Sequence, residues 1–365
     1  MIWIYCITFG LFSLFCSLGF FIRKRWNTLY VNKPGHKQYF NNENISVLIP
    51  FRNEAKNLPL LIDSIRKLYL FPTEILFIND HSEDQYALIF ESLELPCAWK
   101  LLQLNDDEEG KKAALYKGIS ASSSEYILTW DADITVPSDY FRALCKIPLS
   151  DMVVMPVSMP GQNVQELFFE MDYQYLNAIN TCISGYSYPI SASGANLLFS
   201  KNVFLQTGSG KEYAHISSGD DLFLLKDFRK AGKTVELAYA FPLIVSTSPP
   251  ATIEEFLQQR VRWAGKTGKV NDKTATLLGI TGMIYHNTYW LLLFSGISLR
   301  QFVFLTLFKI TLDAMVIIPY YRLLGRTRAI LFIPLFSLIY PFYMLLLIVL
   351  SLFYEPTWKG REVHS

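Results

Sequence analysis

The stretch YILTWDADITVPSDY, Tyr126 to Tyr140, carries an apolar run from Ile127 to Trp130 straight into two carboxylates, Asp131 and Asp133, with only Ala132 between them. Side chains two apart on an extended chain point the same way. Like charges so placed repel unless something positive lies between them, and a bound divalent cation is the obvious candidate. A lone D-x-D is also ordinary turn chemistry, here ahead of Pro137, so the rest of the chain has to choose.

The same pattern recurs upstream. In ISVLIPFRNEAKNLPLLIDSIRKL, the β-branched run Ile45 to Ile49 has the character of a buried parallel strand, and Leu58, Leu61, Ile62, Ile65 and Leu68 follow at helical spacing. TEILFINDHSED supplies a second strand, Ile75 to Ile78, ending in Asn79 and Asp80, and GKKAALYKGI has the pattern of a helix. Alternating strands and helices predict an α/β domain with a mostly parallel sheet, whose ligands bind outside the carboxyl ends of the strands. Glu54, Asp80, Asp131 and Asp133 all fall just past strand ends and should converge. A nucleotide diphosphate with its metal would satisfy them: base and ribose donors for Asp80, Mg²⁺ or Mn²⁺ for Asp133, and Lys111 for the phosphates.

The chain has 365 residues, 51% of them hydrophobic, with a net charge of +1. Met1 to Ile22 is uncharged and followed at once by Arg23, Lys24 and Arg25, which predicts a membrane anchor with the polar part in the cytoplasm. A cleaved signal peptide would carry its basic residues ahead of the apolar run. Hydrophobicity returns at Ala275 to Ser298, Phe302 to Tyr321 and Ala329 to Phe353. His286 and Asn287 weaken the first, which either spans or lies in the interface, and four spans in all is the expectation. Lys309 and Asp313, four apart on one helix face, are expected to pair. The organisation expected is therefore 1–25 anchor, 41–274 cytoplasmic domain, 275–353 transmembrane or interfacial helices and 354–365 tail. The five cysteines include no C-x-x-C pair, so neither zinc nor a disulfide framework is indicated. No basic block points to nucleic acid.

With these segments in place, SVLIPFRNE, EILFINDHSED, GKKAALYKGI, WDADITVP, SGDDLFLLKDFRKAGK and QRVRW occur in the order shown by family 2 glycosyltransferases of the GT-A fold, and the chain resembles that family over roughly Ile45 to Trp263. The resemblance implies an inverting hexosyltransferase that moves a sugar from a nucleotide-sugar donor, such as a UDP-sugar, to an acceptor hydroxyl. It implies Asp221 as catalytic base with Asp220 beside it, and Asp133 as ligand to Mg²⁺ or Mn²⁺. Donor contacts fall on Pro50, Glu54, Asp80, Lys111, Asp131, Gln259, Arg262 and Trp263. Asn79 stands where many members have Asp, and Asp220 where Glu is commoner. Outside the resemblance, Asp220 and Asp221 are also good helix-capping residues, and QRVRW suits an amphipathic helix at a membrane surface.

The tail YEPTWKGREV is similar to those of glycolipid-forming members such as ceramide glucosyltransferases and carotenoid glycosyltransferases. An interfacial Trp358 with Lys359 and Arg361 on lipid headgroups accounts for it equally. The expected partners are a nucleotide sugar, a membrane lipid acceptor and the bilayer, in a multi-pass protein of the inner membrane. The alternatives are a processive polysaccharide synthase, which Q-x-x-R-W also permits, and a non-catalytic nucleotide-binding membrane protein.

Overall fold

The structure is a computed structural model that describes the backbone of residues 2–31, 38–208, 220–238, 240–270, 272–353, 357–358 and 361–362. In chain order its elements are α1 (Ile2–Val31), β1 (Ile45–Phe51), α2 (Leu58–Arg66), β2 (Glu74–Asn79), α3 (Tyr86–Glu91), β3 (Ala98–Gln103), α4 (Gly110–Ala121), β4 (Tyr126–Trp130), β5 (Ile134–Thr135), α5 (Tyr140–Leu144), β6 (Met152–Val154), β7 (Val157–Ser158) and α6 (Val164–Ile183). There follow β8 (Asn196–Ser200), α7 (Lys201–Thr207), α8 (Asp220–Lys230), β9 (Val235–Leu237), β10 (Val245–Thr247), α9 (Ile253–Val270), α10 (Lys273–Leu293), α11 (Leu299–Leu323) and α12 (Ile333–Phe353). The chain divides into two compact units, one of Met1–Arg25, Met159–Ile190 and Pro249–Ser365, the other of Trp26–Ser158 and Ser191–Ser248.

The second unit holds a seven-stranded sheet in the order β3-β2-β1-β4-β8-β6-β9. Its strands run parallel except β8, which is antiparallel to both neighbours. Every residue of β1 and β2 is buried, as continuous Ile, Leu, Val and Phe runs require when helices cover both faces. Pro50 has no amide hydrogen to give, and the β1–β4 ladder accordingly ends at Leu48. On α2 the periodic residues Leu58, Leu61, Ile62 and Ile65 are buried, together with Ser64. Because β8 is reversed, it begins where β4 ends, with Asn196 opposite Trp130. That places the residues just before β8 at the edge where Asp131 leaves β4.

The first unit is built from long helices. Among the described residues three are long and apolar enough to cross a membrane: Ile2–Lys24, Leu299–Leu323 and Thr327–Phe353. The fourth expected span, Ala275–Ser298, is the helix α10 but is not among them, because His286, Asn287 and several tyrosines dilute its apolar run. Helices α1 and α11 run in the same direction: Ser17 Oγ donates to Met315 O at 2.7 Å, and Gly10 faces Phe308. Against α11, α10 runs antiparallel, with Tyr289 Oη on Thr306 Oγ1 and Tyr285 Oη on Asp313 Oδ1, both at 2.9 Å. In turn α12 follows the direction of α10, with ring contacts His286–Tyr340 at 4.8 Å and Trp290–Phe342 at 3.7 Å. The turn between α11 and α12 therefore lies at the end to which α1 brings Arg23.

Tyr5, Phe9, Tyr285, Tyr289, Leu305 and Leu312 pack the interior of this bundle. Lys309 and Asp313 pair inside it at 2.6 Å, each 1% exposed, as two charges in an apolar slab must. Helix α6 packs on α1 so closely that glycine is required on both sides. A Cβ on Gly19 would overlap the Cys182 carbonyl oxygen, and one on Gly185 would stand 2.7 Å from the Gly19 carbonyl carbon. Lys359 and the side chains of Trp358 and Arg361 lie outside the described residues.

Candidate active site

The site in the second unit is assembled from strand ends. After β2, Asp80 is 3% exposed and its carboxylate is held on both sides. Its Oδ1 lies 3.2 Å from His81 Nδ1 and 4.0 Å from Arg52 Nη1, while its Oδ2 accepts the Gly110 N–H at 3.2 Å. Gly110 adopts φ 86, a conformation that L side chains resist, and this turns its amide toward Asp80 as α4 begins. The next residue, Lys111, reaches the end of β4, where its Nζ donates to Asp131 Oδ1. The positive charge demanded by the D-x-D is thus partly supplied from within the chain.

Asp133 lies two residues further on, in the turn before β5. The β5–β10 pairing sets Thr247 beside it, and the Thr247 hydroxyl donates to Asp133 Oδ2 at 3.0 Å. Asp133 keeps its solvent-facing surface, yet it sits deep enough among protein atoms that desolvation pushes its carboxyl up to about 6. The charges of Asp131 and Glu54 add to that shift, and the Thr247 bond opposes it. Glu54, past the end of β1, is oriented by Asn57, whose Nδ2 donates to its Oε2 at 2.6 Å. Crowded carboxylates of this kind make up a hard-oxygen donor set for Mg²⁺ or Mn²⁺. Among the described residues no three His, Cys, Asp or Glu side chains converge as a ready metal cage. One or two carboxylates completed by phosphate oxygens is the arrangement this donor set fits.

Asp221, on the first turn of α8, has both carboxylate oxygens fixed by main-chain donors. Gly194 N–H donates to Oδ2 at 3.1 Å and Leu222 N–H to Oδ1 at 2.9 Å. Gly194 lies two residues before β8, and a Cβ there would stand 3.2 Å from Lys111 Nζ and 3.9 Å from Asp221 Cβ. Hence Asp80, Lys111, Asp131 and Asp221 form a linked series through Gly110 and Gly194, and Asp133 feels the charges of both Asp131 and Glu54. Of the remaining predicted residues, Pro50 is buried within β1. Asp220 opens α8, but its side chain lies outside the described part. Gln259, Arg262 and Trp263 belong to α9 of the other unit.

Sequence reasoning missed Gly194, Thr247 and His81. The first acts through its amide and through lacking a side chain, and the second arrives from a strand 114 residues away. His81 shows itself only in the structure, by its φ of 52 and by its ring nitrogen 3.2 Å from Asp80 Oδ1.

Two family patterns match the chain: "Glycosyl transferase family 2" over residues 46–163 and "Glycosyl transferase family group 2" over residues 126–354. The poly-beta-1,6-N-acetyl-D-glucosamine synthase of Staphylococcus epidermidis is 33% identical over 121 residues, 33% of this chain and 28% of that one. An undecaprenyl-phosphate 4-deoxy-4-formamido-L-arabinose transferase of Serratia proteamaculans is 29% identical over 107 residues, 28% of this chain and 33% of that one. The 4,4'-diaponeurosporenoate glycosyltransferase of Staphylococcus aureus is 30% identical over 100 residues, 26% of this chain and 25% of that one. The match thus spans a third or less of these three relatives' length. Among solved structures, a mannosyltransferase of Pyrobaculum calidifontis in complex with GDP-Man and Mn²⁺ has a TM-score of 0.51 at 14% identity, over 97% of this chain and 99% of that one. That likeness is one of fold, the mostly parallel sheet of GT-A enzymes.

Proposed function

The chain belongs to the family 2 glycosyltransferases, and from that premise we propose that it is an inverting enzyme moving a sugar from a nucleotide-sugar donor, a UDP-sugar in the first instance, to the hydroxyl of a membrane lipid. The observation that carries the proposal is the Asp221 carboxylate, fixed by two amide hydrogens and set beside the Lys111–Asp131 pair. An acceptor hydroxyl is a poor nucleophile at neutral pH, so a carboxylate must take its proton as the oxygen attacks the anomeric carbon. In one displacement the new C–O bond forms, the bond from that carbon to the diphosphate oxygen breaks, and the proton ends on Asp221. The two amide donors hold the carboxylate in place for this transfer.

Negative charge collects on the departing diphosphate, and Lys111 offsets it, joined by Arg262 and Gln259 in the carry-over from the family. Asp80, with Glu54 and Asp131, shapes the nucleoside side of the site, and Trp263 offers a flat apolar surface to the donor sugar where the acceptor meets it. Asp133, with Asp131 beside it, would hold Mg²⁺ or Mn²⁺. The bound ion would act as a Lewis acid toward the diphosphate.

We assign residues 41–274 to a catalytic domain on the cytoplasmic face of the inner membrane, with 1–25 as anchor and 275–353 as a membrane-embedded hairpin and helix. Arg23 and Lys24 support that side. The alternating directions of α1, α10, α11 and α12 support passage of all four through the bilayer, with Arg322, Arg326 and Arg328 returned to the cytoplasmic end. The lipid acceptor is favoured by the names of two relatives, which act on undecaprenyl phosphate and diaponeurosporenoate. The polysaccharide synthase among the relatives supports a second reading, processive synthesis. A polymer channel needs a polar path through the bundle, however, and aromatic side chains fill that space here. Membranes carrying the protein, incubated with a panel of labelled nucleotide sugars, should pass label from one of them into the organic phase. Label from none of them, or only in water-soluble product, defeats the proposal.

A further inference from the structure

Helix α9 carries QRVRW, in which the family pattern singles out Gln259, Arg262 and Trp263, yet the most deeply buried side chain of the motif is the intervening Arg260. Its Nε donates to Asp172 Oδ2 on α6, and both side chains are 3% exposed. Its Nη1 donates to Gln259 Oε1 at 2.5 Å, and its guanidinium lies 4.3 Å from the Trp263 ring centroid and 4.6 Å from that of Phe256. A ring on α6, that of Tyr173, flanks Trp263 at 5.7 Å. One buried cation thus touches two motif residues at once, and one carboxylate 88 residues away holds that cation.

We propose that Asp172 and Arg260 are a positioning pair for Gln259 and Trp263, setting the chemistry that the motif offers to the nucleotide sugar; this rests on the functional reading above. A guanidinium has donors and no acceptor, so the Gln259 amide must turn its oxygen toward Arg260. The amide then presents its NH₂ group, which suits a ligand made of acceptor oxygens, as a diphosphate is. Stacking of the planar guanidinium on Trp263 fixes the tilt of the indole in the same way. Buried ion pairs are poor stability devices, because a well-packed apolar pair of similar volume commonly serves the fold as well or better. What the apolar pair cannot supply is the orientation of Gln259 and Trp263.

This difference gives the test. The double variant Asp172→Leu/Arg260→Met and the single variant Arg260→Lys are prepared as full-length protein in detergent. Each is assayed for melting temperature and for donor KM and kcat, using the labelled nucleotide sugar that the wild type accepts. The double variant should melt within a few degrees of the wild type while its donor KM rises about tenfold or more and kcat changes less than about threefold, the mark of lost ground-state binding. Arg260→Lys keeps the charge opposite Asp172 but loses the fork and the stacking, and should raise KM about threefold or more. Wild-type KM in the folded double variant overturns the positioning role; if that variant does not fold, wild-type KM in Arg260→Lys overturns it. A wild type that transfers from no nucleotide sugar overturns the functional reading, and the positioning role with it.

Discussion

Replacing Gly19 by alanine should destabilise the protein far more than one methyl group suggests. The added Cβ would overlap the Cys182 carbonyl oxygen and stand 2.6 Å from Cε2 of Tyr186, about 1 Å inside the ordinary carbon–carbon contact distance. The carbonyl is helix backbone and cannot rotate away, so α1 must withdraw from α6. Withdrawal loosens the Phe15–Tyr186 ring stack, now at 4.2 Å, and the 2.9 Å hydrogen bond from Tyr186 Oη to Phe15 O. Overpacking of this kind costs about 1–3 kcal/mol, and the lost hydrogen bond adds about 1. At roughly 2–4 °C per kcal/mol for a domain of this size, the melting temperature should fall by roughly 5–15 °C.

Gly279→Ala is the matched control, because a Cβ there meets nothing within 4 Å. In a helix interior alanine is favoured over glycine by about 0.5–1 kcal/mol, so this variant should melt at the wild-type temperature or slightly above. Thermal denaturation of both variants in one detergent is the assay. Equal melting temperatures for the two would refute the close packing of α1 on α6.

The other expectations concern charge. Because Asp133 is raised to about 6, protons compete with the metal below that pH and leave the carboxylate free above it. Apparent Mn²⁺ affinity should drop about tenfold per pH unit below 6, excess EDTA should abolish transfer, and Asp133→Asn should lose most activity; metal titrations at pH 5 and 7.5 that coincide would contradict this. Asp221→Asn should bind donor as the wild type does and turn over about a hundredfold more slowly or worse, as binding and rate measurements on one preparation would show. Arg326→Ala should destabilise by about 3–5 kcal/mol, since it leaves the charge of fully buried Glu170 without the guanidinium that now gives it 3.1 and 2.7 Å bonds, the Gly161 amide alone being a weaker partner. Urea or thermal unfolding measures it, and Glu170→Leu/Arg326→Met should recover most of the loss.

What was legible in the sequence was whatever the chain encodes locally. Strands β1, β2 and β4 announce themselves as β-branched runs, and the carboxylates behind them mark the sheet edge because parallel strands deliver their ends to one side. Helix α6 was not legible, since Glu170 and Asp172 interrupt its apolar face. They are tolerable there because Arg326 and Arg260 arrive from 156 and 88 residues away. Gly194 escaped for a related reason: its use depends on β8 running against β4, a long-range pairing that no short motif records. The weak apolarity of α10 is likewise explained by neighbours, for Tyr285 and Tyr289 spend their hydroxyls on α11.

In the proposed function Asp221 deprotonates a lipid hydroxyl for transfer of one sugar or a few. This is tested most directly by following a labelled nucleotide sugar with wild-type and Asp221→Asn membranes, separating organic-soluble from water-soluble product over time. Label should enter the organic phase, with a small and constant number of sugars per lipid as the reaction proceeds, and should be lost almost completely in Asp221→Asn. A water-soluble product that lengthens with time, or an Asp221→Asn protein that transfers at the wild-type rate, would contradict that function.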